Sequence, residues 1–187
     1  MGDKEKFLYH TNQARLAHKH WVGMIKLLVS DLLKNKSDIL LNITQIEFGK
    51  WLYEEASLFK NGNCSTVLDE IETLWEEIYE HFMQIYEICV QNRKKNIFGV
   101  DKALNQSERQ LASHHYQELV TLTDRLQSRL RMLEKQLQAK SEKEFFVYDS
   151  FLKHKELSDS EKNKKENEEK KSSIDRVSGA RGAYFYN

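Results

Sequence analysis

The sequence predicts an all-α protein, an antiparallel helical bundle of the four-helix type. A long C-terminal helix and a disordered or solvated tail follow it. Three observations predict this. The chain of 187 residues has no proline and seven glycines, and these are the residues that break or weaken helix interiors. Its apolar side chains recur at steps of three and four over long stretches, which is the period of a helix face. Short clusters of turn residues separate those stretches.

The first helix is expected over about Lys4 to Lys34. Phe7, Ala14, His18, Trp21, Ile25, Leu28 and Leu32 fall on one stripe, which puts His18 on the buried face. The polar stretch Asn35-Lys36-Ser37-Asp38 ends it. A second helical region covers about Ile39 to Phe59, and Lys60-Asn61-Gly62-Asn63-Cys64-Ser65 is a loop. Ser65 or Thr66 caps the third helix, with Asp69 in its first turn. Leu68, Ile71, Trp75, Ile78, Phe82, Ile85 and Cys89 form its main stripe. Leu74, Glu77, His81, Ile85 and Ile88 lie beside it.

Residues 91 to 102 read as a polar connection. Asn105 and Glu108 form a capping-box pair at the start of the fourth helix. Its seam runs through Leu111, His115, Leu119, Leu122, Leu126, Leu130, Leu133 and Leu137, and it is expected to continue past Tyr148 to Leu152. Residues 158–173 carry no apolar side chain and read as solvated helix or disorder. The chain then reaches Tyr184-Phe185-Tyr186. The expected organisation is a bundle over 1–104, a long helix over 105–157 that completes the bundle or forms a coiled coil, and a charged tail over 158–187.

Lysine plus arginine and aspartate plus glutamate number 29 each. That balance argues against a general nucleic-acid binder, which shows a basic excess. Cys64 and Cys89 are too few for a disulfide framework and fit a reducing compartment. No signal peptide, myristoylation motif or membrane-spanning run is visible. The expectation is a cytoplasmic protein with neither nucleic acid nor membrane as partner. No phosphate-cradling loop, nucleophile elbow, zinc-protease motif or Glu-x-x-His pair is present, so the chain reads as non-enzymatic.

A metal site in a bundle takes inward donors from several helices. His18 offers an imidazole from the first helix. Glu77 and His81, one turn apart on the third, offer a carboxylate and an imidazole. Glu47 offers a further carboxylate at the head of Glu47-Phe48-Gly49-Lys50-Trp51-Leu52-Tyr53. Two nitrogens and two oxygens suit zinc or another divalent first-row metal. Each residue also has a plainer reading: a core histidine for His18, a surface charge pair for Glu77 and His81, packing for Trp21, Trp51 and Trp75. Gly49 reads as a point of close helix approach, and His114-His115 as packing.

His18-x-x-Trp21, then Gly49-x-Trp51-Leu52, then a pair four apart ending in His81, resembles the chemoreceptor zinc-binding (CZB) domain family over about residues 8 to 95. That family carries His-x-x-Trp, Cys-x-x-Gly-x-Trp and His-x-x-x-His motifs. The resemblance implies a helical bundle, generally dimeric, with one zinc held by three histidines and one cysteine. Family members occur in bacterial chemoreceptors, in diguanylate cyclases and as stand-alone proteins. Here Glu47 is taken to stand at the cysteine position, and Glu77 at the first histidine of the closing pair.

Two readings follow: a modified site of His18, Glu47, Glu77 and His81, or a scaffold that kept the fold and lost zinc. In the first the protein is a metal-binding regulatory or sensor homodimer of chemotaxis or related signalling. It signals through the long helix or through a tether at Tyr184-Phe185-Tyr186. In the second it is a metal-free helical dimerisation adaptor. A haemerythrin-like iron or oxygen binder is a further alternative.

Overall fold

The structure, a computed structural model, describes residues 2–33, 36, 39–60, 62–95, 97, 102–155 and 157. The tail expectations, including Tyr184-Phe185-Tyr186, lie outside the described residues. Two compact units divide the chain after Glu144. In the first, α1 spans Asp3–Val29, α2 Glu47–Lys50, α3 Ser65–Tyr86 and α4 Gln106–Ala139. No strand is present among the described residues. None of the described helices is long and apolar enough to cross a membrane.

The helix α1 buries Phe7, Thr11, Ala14, His18, Trp21, Ile25 and Leu28, the predicted stripe with Thr11 added. It stops at Val29, short of the expected Lys34. The backbone of Asp31 is left-handed (φ 58°). The Leu32 amide then bonds the Leu27 carbonyl at 2.8 Å and the Asp31 amide bonds the Leu28 carbonyl at 3.0 Å. This is a Schellman ending, in which the orphan carbonyls are taken up by the reversing chain. Asp31 holds the position usually given to glycine. Its carboxylate receives both terminal nitrogens of Arg93, at 2.6 and 2.5 Å. Leu32, predicted on the buried stripe, lies beyond the helix and is 67% exposed.

The second helical region begins at Glu47, not Ile39. Asn42 diverts the chain: its side-chain oxygen accepts from the Thr44 amide at 2.9 Å and the Thr44 hydroxyl at 2.7 Å. Such local bonds compete with helix. Tyr79 of α3 donates its hydroxyl to the Leu41 carbonyl and so pins this stretch to the bundle. From Glu47 the chain runs through α2, a π turn at Trp51–Glu55 and a 3-10 turn at Ala56–Phe59.

Gly49 is the close approach that the sequence marked. A Cβ there would stand 1.9 Å from the Ile43 carbonyl oxygen and 3.4 Å from Trp75 Nε1. Backbone must move to admit it, so Gly49→Ala is expected to lower the unfolding free energy by about 2–3 kcal/mol, the usual cost of overpacking. Urea denaturation checks this, and a loss below about 0.5 kcal/mol, the range of an ordinary surface change, would contradict the close approach.

The helix α3 buries the predicted residues from Leu68 to Cys89, with its last turn in π geometry. The capping box at Asn105 and Glu108 is formed, with bonds of 2.9 and 2.8 Å. The core of α4 is Leu119, Leu122, Leu126, Leu130, Leu133 and Leu137, with Ala112 in place of the exposed Leu111.

Three contacts fix the direction of α4 against α1: Lys4 Nζ donates to the Gln138 carbonyl, Arg15 pairs with Glu134, and His18 meets Thr123. Against α3 the pairs are Glu70 with Arg129 and His81 with His115. In both series one number rises as the other falls, so α4 runs antiparallel to α1 and to α3. It packs on both helices and belongs to the same unit.

The expected continuous helix to residue 157 is broken. The chain at Lys140 is extended (ψ 151°). The Ser141 amide and hydroxyl then donate to Glu144 at 2.8 and 3.0 Å, which starts a new turn. In the second unit a helix covers 146–155, where Tyr148 and Phe151 stack at 6.4 Å.

Candidate functional site

His18 lies at the centre of the first unit and is fully buried. Aromatic rings surround it from three elements: Phe48 of α2 at 5.1 Å, Trp75 of α3 at 5.7 Å and Trp21 of α1 at 6.0 Å between ring centroids. From α4 the Thr123 hydroxyl stands 3.3 Å from Nε2. Nδ1 has no hydrogen-bond partner among the described residues. Burial pushes the His18 pKa down to about 4, because a low-dielectric cage penalises the charged ring. At neutral pH His18 is therefore an uncharged imidazole.

The other three candidates do not join it. Glu47 stands on the outer face of α2 with its side chain 67% exposed and pairs with Lys50 at 3.0 Å. Glu77 is exposed and borders an open polar groove between α3 and α4, together with Leu74, Arg125 and Arg129. His81 is half-buried, and its Nδ1 lies 3.0 Å from His115 Nδ1. Thr123 and His115 are eight residues apart, so the two histidine positions are separated by about 12 Å along α4. Among the described residues no group of three or more His, Cys, Asp or Glu is placed to hold a metal ion.

The donor set does not fit a four-ligand zinc centre. A closed zinc site needs four protein donors within about 2.3 Å of one point, whereas His18 brings one and the rings around it, Trp21, Phe48 and Trp75, bring none. The register of the middle motif explains part of this. Counted back from Gly49 and Trp51, the first position of a Cys-x-x-Gly-x-Trp pattern is Ile46, not Glu47, and Ile46 is buried at 3% exposure. On α3 the residue against His18 is Trp75, and Ile71 lies one turn earlier; both are fully buried. These inward positions carry no metal-binding group.

Two partners escaped the sequence reading. Thr123 gave no signal, since a threonine amid leucines at helical spacing reads as filler. His115 reads as packing in the sequence, yet it precedes the buried Leu119 by one turn and meets His81 of α3. Burial first, then the neighbouring His81 and His114, holds the His115 pKa below its ordinary value. Cys89 is fully buried in the core, where burial raises its thiol to about 11. Compared with protein-family models, curated proteins and solved structures, the chain finds no match.

Proposed function

We propose that this chain is a non-enzymatic helical adaptor, a CZB-like bundle that keeps the helical order and works without a core metal. The observation that carries this is the wall around His18: Trp21, Phe48 and Trp75 close on it, while Glu47 and Glu77 face solvent. Zinc in such a family holds helices together at the point where this chain packs aromatic rings instead. The bundle then acts by presenting surfaces, and the first partner is a second copy.

The surface that supports self-association is on α1. Tyr9, Leu16 and Leu27 are 53%, 51% and 43% exposed. Their spacings, seven and eleven residues, each close within about 20° of whole turns, so they lie on one line opposite the core, with the exposed Gln13, His20 and Gly23 between them. Isolated exposed apolar residues are ordinary; three aligned on the outer face of one bundle helix are the positions at which a second copy would meet it.

The tests separate the two parts of the reading. Protein purified without a tag is measured by light scattering and ultracentrifugation at micromolar concentration. A dimer that becomes a monomer in Leu16→Glu, Leu27→Glu, with helicity unchanged, is expected; a monomeric wild type removes the self-association. Metal analysis is run on the wild type and on Glu47→Ala, Glu77→Ala. Metal that is stoichiometric in the first and absent in the second would overturn the metal-free core.

A further inference from the structure

The pair His81 and His115 lies outside the core just described. The imidazoles come from antiparallel neighbours, α3 and α4, with ring centroids 5.3 Å apart and Nδ1 atoms 3.0 Å apart. Two imidazole nitrogens this close share something: one proton, in an N–H···N bond, or one cation. Both rings are half-buried, so their positions are set by helix packing while one side stays open to solvent.

We propose that His81 and His115 form a two-imidazole clamp for a divalent ion with square-planar or tetragonal preference, copper(II) or nickel(II). The separation lets both nitrogens reach one ion. With metal–nitrogen bonds near 2.05 Å, cis ligands at right angles sit about 2.9 Å apart, whereas tetrahedral ligands sit about 3.3 Å apart. The observed 3.0 Å is within reach of one shared ion, and two nitrogens completed by water oxygens suit copper(II) or nickel(II). Water fills the remaining positions on the open side. His114, exposed and with its ring 5.8 Å from that of His115, leaves the clamp a two-donor site from the protein.

The clamp ties α3 to α4 at the end of the bundle where both helices approach the 91–105 connection, so occupancy stiffens that end. It is independent of the core reading, because His18 takes no part.

The test is titration of the full-length, tag-free protein with copper(II) alone, followed by calorimetry and electron paramagnetic resonance. One tight equivalent is expected, with hyperfine splitting from two imidazole nitrogens. Both His81→Gln and His115→Gln should weaken that first equivalent at least tenfold, while His18→Gln and His114→Gln leave it unchanged. A melting temperature raised by copper(II) in the wild type, and not in His115→Gln, is the second readout. Wild-type affinity surviving in either His81→Gln or His115→Gln, or a spectrum with one nitrogen, would overturn the clamp and leave a shared-proton pair. Circular dichroism of each variant confirms that it is folded before its affinity is compared.

Discussion

Trp75→Ala should remove about 4 kcal/mol from the unfolding free energy, the scale of a large aromatic deleted from a closed core. Trp75 is fully buried. It meets Phe48 at 5.0 Å, Trp21 at 5.2 Å and His18 at 5.7 Å, all edge-on. These rings come from α1, α2 and α3, so the cavity left by truncation touches each element whose rings surround His18. Collapse into it is resisted by the backbone contact between Gly49 and Ile43, which already stands at closest approach. Trp75→Phe should cost much less, about 1–2 kcal/mol, because most of the ring contact remains. It also removes Nε1, a buried donor with no partner among the described residues, and leaving such a donor unmade carries its own penalty. Urea denaturation of both variants measures the difference. A Trp75→Ala loss under about 1.5 kcal/mol would mean that the ring cluster is not the core of the unit.

The fold was legible because helix periodicity is written in the side chains themselves. The α3 stripe from Leu68 to Cys89 and the Asn105–Glu108 cap needed no tertiary information. Helix ends were less legible where the signal residue was absent: Asp31 supplies the left-handed turn that glycine commonly supplies, and Ser141 caps within a stretch that still reads as helix. The π turn at Trp51–Glu55 leaves no mark in composition at all. For the candidate site, periodicity placed His18 inward correctly. It could not place Glu47, since a one-residue change of register separates the buried Ile46 from the exposed Glu47. Glu77 and His81 share a helix face, yet that face meets α4 near His115, about 12 Å along α4 from the point where His18 meets Thr123. Sequence spacing fixes neighbours within a helix and says nothing of which part of another helix they meet.

Between pH 6.5 and pH 4 the protein is expected to lose about 3 kcal/mol of stability through His18 alone. In the unfolded chain this histidine titrates near 6.5; in the folded core its pKa is pushed down to about 4. Over that interval the unfolded state binds the proton and the folded state does not, so stability falls as pH falls. The loss begins near pH 6.5 and is complete below pH 4, at 1.36 kcal/mol for each unit of displacement. Burial is the cause of the displacement, and the groups the ring meets among the described residues, Trp21, Phe48, Trp75 and the Thr123 hydroxyl, carry no charge. His115 is also depressed and contributes with the same sign, so the wild-type slope alone does not isolate His18. The difference between wild type and His18→Gln does. Gln is polar, keeps a donor and acceptor for Thr123, and carries no titrating group. It is expected to be less stable at pH 7.5, through poorer packing, and to have a flatter profile, so that the two stability curves converge toward pH 4.5. Parallel curves across that range would show that His18 takes up its proton in the folded protein as easily as in the unfolded chain. The aromatic cage would then be open to water, and the core would not be sealed by its rings.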